Sequence, residues 1–139
     1  MTEKDLIIRT NSEFLSVNYD SDSDSWNFEF ADRISFNVSA MWRLLIEKHI
    51  RFVSLDNGHQ FGLPRPLDLV YELTEILRGK SLLEIKVQQI TSDLLLKLSD
   101  NIQIEIFISS AGYETYTFAI KDKNYIGMGA GDLSIYDNH

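Results

Sequence analysis

Ile102-Gln103-Ile104-Glu105-Ile106-Phe107-Ile108 decides how this chain is read. A β-branched residue stands at every second position, and the residues between are mostly polar. Side chains alternate between the two faces of a strand, so this run offers one face to a core and one to water. Leu94, Leu96 and Leu98 alternate in the same way on its N-terminal side, across the turn Ser99-Asp100-Asn101. Before them, Leu83, Ile85 and Val87 alternate with Glu84, Lys86 and Gln88. On the C-terminal side the pattern predicts strands at Tyr113–Ile120, Tyr125–Met128 and Leu133–Tyr136, with a turn at Lys121-Asp122-Lys123-Asn124. Connections this short join antiparallel neighbours, because a parallel crossover needs a dozen or more residues.

One segment has a helical period instead. Leu69, Val70, Leu73, Ile76 and Leu77 fall on one face, and Asp68, Glu72, Glu75 and Arg78 on the other. Pro66 stands where a first-turn proline belongs, and Gly79 where a left-handed C-terminal cap belongs. The spacing predicts an amphipathic helix near 66–78. The first half of the chain reads as further strands: Phe14–Tyr19, Trp26–Phe30, Ile34–Val38 and Arg51–Leu55. Met41–Lys48 fits either a strand or two helical turns. Asn57-Gly58 is a hairpin signal, with Gln60–Leu63 as the returning strand. The expected fold is therefore α+β: one domain over 1–139, with a mostly antiparallel sheet of about eight to ten strands. The helix would bridge two β-rich halves, 1–65 and 81–139.

Composition narrows the function classes. The chain has 139 residues, 44% of them hydrophobic, and no cysteine. That removes disulfides, thiolate metal sites and cysteine nucleophiles. The net charge of −8 argues against nucleic acid or an anionic membrane as partner. No apolar run is long enough to span a bilayer, and Met1-Thr2-Glu3-Lys4-Asp5 has no apolar signal core, so the expected location is cytoplasmic.

The charge is unevenly placed. From Thr10 to Asp32 stand Glu13, Asp20, Asp22, Asp24, Glu29 and Asp32, with no base among them. Asp20-Ser21-Asp22-Ser23-Asp24 fits an exposed tip between two strands, with Trp26 read as an exposed aromatic beside it. Its spacing invites a calcium loop, but Ser25 and Ala31 stand where such a loop needs glycine and glutamate. Asp56, His59 and Glu114 can be imagined as a carboxylate–imidazole group, although no spacing requires it. Gly127-Met128-Gly129-Ala130-Gly131 precedes a strand rather than a helix, so it reads as a kinked connection and not a phosphate loop. No catalytic residue, metal or cofactor is expected. The candidate binding residues are Asp20, Asp22, Asp24, Trp26, Asp56, His59 and Glu114.

Ser110-Ala111-Gly112-Tyr113-Glu114-Thr115-Tyr116, followed by Tyr125–Leu133, resembles small uncharacterised bacterial proteins with a Gly-Tyr-Glu-x-aromatic strand and a glycine-rich stretch before a last strand. Some of these look like immunity proteins that neutralise toxins. The resemblance implies a toxin-neutralising role and carries over no catalytic residue. Together with the acidic charge, it makes a basic protein the expected partner. The alternative is a small-molecule binder or minor enzyme with a β-lined pocket.

Overall fold

The computed structural model describes residues 5–108, 116–121, 123–127 and 133–137. Eleven strands are formed among these residues, one above the upper end of the expected range: β1 (Leu6–Asp20), β2 (Ser25–Phe30), β3 (Ile34–Val38), β4 (Trp42–Ile46), β5 (His49–Val53), β6 (Ser81–Val87), β7 (Leu94–Leu98), β8 (Ile102–Ile106), β9 (Tyr116–Ile120), β10 (Lys123–Gly127) and β11 (Leu133–Asp137). The one α-helix among the described residues, α1, spans Leu69–Leu77. All strand pairs are antiparallel, in the order β11-β10-β9-β3-β2-β1-β6-β7-β8-β4-β5. Met41–Lys48 is thus a strand and its turn, not a helix.

Strand β1 organises the rest. It begins well before the expected Phe14, and its two ends serve different partners. Leu6–Glu13 pairs with β6, and Phe14–Asp20 pairs with β2. Register shifts between Arg9 and Ser12, and between Phe14 and Ser16, mark a bulge on either side of that change. Bulges bend a strand, and this one turns from one layer into the other. The first layer is β1, β6, β7, β8, β4 and β5; the second is β1, β2, β3, β9, β10 and β11. The two β-rich stretches, 1–65 and 81–139, therefore do not build separate sheets. Each layer takes strands from both sides of the helix.

The inner faces of the layers meet. Trp42 of β4 lies edge-on to Trp26 and Phe28 of β2, at ring separations of 5.0 and 5.8 Å. The isoleucines that opened the reading, Ile102, Ile104 and Ile106, are buried in the same core as Phe28, Phe36 and Phe118. Leu69, Leu73 and Leu77 of α1 are wholly buried there, with Val70 and Ile76 partly so. The helix begins later than expected. Asp68 is its N-cap, accepting from the Tyr71 N–H at 3.2 Å, and Pro66 lies outside it. A second cap comes from a distance, since the Asn57 side-chain Oδ1 accepts from the Leu69 N–H at 2.9 Å. Gly79, at φ +78°, ends the helix as expected.

Candidate functional site

Asn57-Gly58 does not make the expected hairpin. Asn57 has φ −60° and ψ 131°, and Gly58 has φ +83°, which together form a type II turn closed by the His59 N–H on the Asp56 carbonyl at 3.1 Å. The reason lies in Asn57's side chain, which is committed to the helix. Gln60–Leu63 consequently does not return as a strand. The Ser54–Leu67 loop is instead braced from within. Gly58 N–H donates to the Leu67 carbonyl, and Leu67 N–H donates to the His59 carbonyl, each at 2.8 Å. Leu63 N–H donates to the Gln60 carbonyl at 2.7 Å, and the Gln60 side-chain amide donates to the Leu63 carbonyl at 2.8 Å.

This braced loop holds apolar side chains outward. Leu55 and Phe61 are each 66% exposed, and Leu63 and Tyr71 are exposed as well. Phe61 sits at φ +47°, a left-handed conformation that is an outlier for a bulky residue. Its ring stacks on His59 at 5.3 Å and 14°. A groove of about 460 Å³ runs along Leu63–Asp68, Tyr71 and Glu72.

The acidic hairpin tip meets the Ser54–Asn57 end of this loop. Tyr19, Asp24 and Trp26 line a cleft of about 210 Å³ whose other wall includes Met41, Ser54, Leu55 and Asn57. Within the tip the carboxylates staple the turn. Asp20 accepts from the Asp22 N–H and the Ser23 hydroxyl, each at 3.0 Å, and Asp24 accepts from the Tyr19 hydroxyl at 2.7 Å. That hydrogen bond, more than partial burial and the charges of Asp24 and Asp20, holds the Tyr19 phenol above its ordinary pKa. No group of three His, Asp or Glu side chains among the described residues has the geometry to hold a metal.

The structure thus sorts the sequence candidates. Asp20, Asp22 and Asp24 stand at an exposed tip, as read. Trp26 is a correction: it is 3% exposed, packed between Tyr19 at 4.5 Å and Trp42. Alternation explains this, because Trp26, Phe28 and Phe30 share the inner face of β2. Asp56 and His59 bracket the type II turn and meet through the main chain, while the imidazole stacks on Phe61. Glu114 and the glycine-rich stretch beyond Gly127 lie outside the described residues, as does His139. Sequence reasoning missed Leu55, Phe61, Leu63 and Tyr71. The available signal was a run with Gly58, Gly62, Pro64 and Pro66 in nine residues, too broken for a strand.

A third hollow, of about 230 Å³, lies at the Phe107 end of the first layer, lined in part by Asp5, Lys86, Asp93 and Glu105. Its volume is below the roughly 300–1,000 Å³ usual for small-molecule sites. Asp5 lies 3.4 Å from Lys86, and the hydrogen bond it accepts from the Gln89 N–H lowers its pKa. No helix among the described residues is long and apolar enough to cross a membrane. The chain matches no known family model, no curated protein and no solved structure.

Proposed function

We propose that this chain is a non-catalytic binding protein, that its contact face is the braced Ser54–Leu67 loop with the neighbouring acidic tip, and that its partner is a basic protein. The observation that carries the reading is Phe61. An aromatic ring held 66% exposed, on a strained backbone, in a loop tied by its own hydrogen bonds, is an anchor built before any partner arrives. Pre-organised aromatic anchors give interfaces most of their affinity. The sign of the partner follows from the rim. Asp24 lines the cleft beside Leu55, with Asp20 and Asp22 on the same hairpin tip; Asp68 and Glu72 line the groove beside Leu63 and Tyr71, and Arg65 is the one base lining it. A toxin-neutralising immunity protein is the concrete form of this role, in keeping with the likeness of the C-terminal segment to such proteins.

The test begins with a photo-crosslinking amino acid at Phe61, and at Leu83 on the outer face of β6 as control, in the native host. If a toxin-like gene lies beside this one, its product is the first purified partner to titrate. The expected outcome is a basic protein crosslinked only from position 61, bound at least ten-fold more weakly by Phe61→Ser, a loss of about 1.4 kcal/mol or more. Replacing Asp20, Asp22 and Asp24 with asparagine is expected to slow association several-fold at low salt, because rim charges act on the on-rate. Equal crosslinking from both positions, or affinity untouched by Phe61→Ser, overturns the reading.

A further inference from the structure

The two ends of the strand order are treated differently. At one end, β5 carries the devices that keep an edge strand single. Its register against β4 is broken between Leu44 and Leu45, and His49 and Arg51 are exposed along it. At the other end, β11 carries fewer of them. It pairs with β10 over five consecutive residues without a bulge, from Leu133 opposite Gly127 to Asp137 opposite Lys123. It contains no proline and no lysine, and its one charge, Asp137, faces Lys123 across the pair. Among the described residues nothing pairs with its outer side.

An apolar row also runs out to this edge. Val17, Phe28, Phe36, Phe118, Tyr125 and Ile135 stand opposite one another in turn, across β1, β2, β3, β9, β10 and β11. Residues directly opposite in an antiparallel pair share a face. The row is therefore one continuous inner stripe, with Phe118 and Tyr125 stacked at 4.4 Å and 3°. It is buried as far as Tyr125, at 8% exposure, and then opens abruptly at Ile135, at 50%. Tyr136, on the opposite face, is 49% exposed.

We propose that β11 is the contact edge of a two-fold symmetric dimer of this chain, its strand pairing antiparallel with that of a second copy about Ile135. The occupant follows from the row itself. A two-fold axis at Ile135 sets Ile135 against Ile135 of the other copy and continues the stripe into that copy's Tyr125 and Phe118. The unpaired main chain of β11 gains a strand at the same time, and a two-fold interface is self-complementary by construction. No like charges meet, since Asp137 of each copy falls opposite Leu133 of the other. A five-residue pairing is a small interface, so the dimer is a weak one.

The chain's lack of cysteine supplies the test. The pairing brings the two Ile135 Cβ atoms to about 4.5–5.5 Å, within a small adjustment of the span of a disulfide. Under mild oxidation, Ile135→Cys is expected to give a disulfide dimer well before Ile50→Cys on the other edge strand. Sedimentation of the unaltered chain at high micromolar concentration is expected to show reversible dimer. Ile135→Lys, checked for folding by circular dichroism, is expected to be monomeric. A chain that stays monomeric at that concentration overturns the proposal. So does Ile135→Cys crosslinking no faster than Ile50→Cys, a comparison that holds even if Ile135→Lys fails to fold.

Discussion

Tyr116 shows how much one side chain can tie together. It is 2% exposed, and its hydroxyl donates to the Ser92 carbonyl at 2.8 Å, linking β9 in the second layer to the connection between β6 and β7 in the first. Its ring leaves no room at the residue opposite. A Cβ on Gly127 would lie 2.3 Å from a ring carbon, so glycine stands there for close approach rather than for a turn. Burial, with the Asp93 carboxylate second, pushes the Tyr116 phenol far above its ordinary range. The consequence for stability has a definite sign. Below the unfolded pKa of about 10, both states keep the proton and the hydrogen bond contributes fully. Above it the unfolded chain loses the proton first, so this stability drains away as pH rises toward the folded value. Tyr116→Phe is expected to cost about 1 kcal/mol at pH 8. That gap is expected to close by about pH 11, because the phenylalanine form has no proton to lose, at up to about 1.4 kcal/mol per unit. Urea midpoints of both proteins across this range check it, and a gap of constant size refutes it.

Among the elements, the hairpins stand out for their turns. Asp32-Arg33, Glu47-Lys48 and Asp100-Asn101 all have positive φ, as turns matched to the twist of paired strands require. Asparagine, aspartate and glycine suit such positions, but Glu47 at φ +51° and Lys48 at φ +68° do not. A side chain in the left-handed region costs roughly 1–2 kcal/mol, and glycine's greater unfolded freedom returns about 0.5–1 of that gain. Lys48→Gly is therefore expected to raise stability by about 0.5–1 kcal/mol, read as a higher urea midpoint with an unchanged slope. A lower midpoint would mean that the lysine makes a contact worth more than its strain.

At the scale of the whole molecule, the helix and both layers share one core. Leu73 is wholly buried in it, in company with Trp26, Trp42, Leu96 and Ile104. Removing three carbons there leaves a cavity, and Leu73→Ala is expected to cost about 2–5 kcal/mol. Because the core is shared, the loss is expected to lower the unfolding midpoints seen by tryptophan fluorescence and by far-ultraviolet circular dichroism together. Tyr71→Ser, on the exposed face of the same helix, is expected to stay within about 0.5 kcal/mol. Midpoints that separate in Leu73→Ala would show the two layers melting independently.

The amino-acid sequence by itself determined most of which residues face inward. Leu83, read with Ile85 and Val87, is instead exposed, because the register shift between Leu82 and Glu84 puts Leu82 inside in its place. Alternation placed Ile102, Ile104 and Ile106 inside, the 3.6 period placed Leu69, Leu73 and Leu77 inside, and Gly79 marked the end of the helix. These are local facts, set by backbone geometry within a few residues. The same alternation put Trp26 in the core, although its acidic neighbours suggested a surface aromatic. Only the tertiary structure decided which strands lie side by side, how β1 serves both layers, and that Asn57 caps a helix twelve residues away instead of turning a hairpin. It also decided that Leu55 and Asn57 wall a cleft shared with the acidic tip, and that Leu63 and Tyr71 line one groove. A period of two names a strand's buried face but is silent on its neighbours. Pairing is settled by contacts between residues far apart in the chain, whose free energy exists only once the whole core closes.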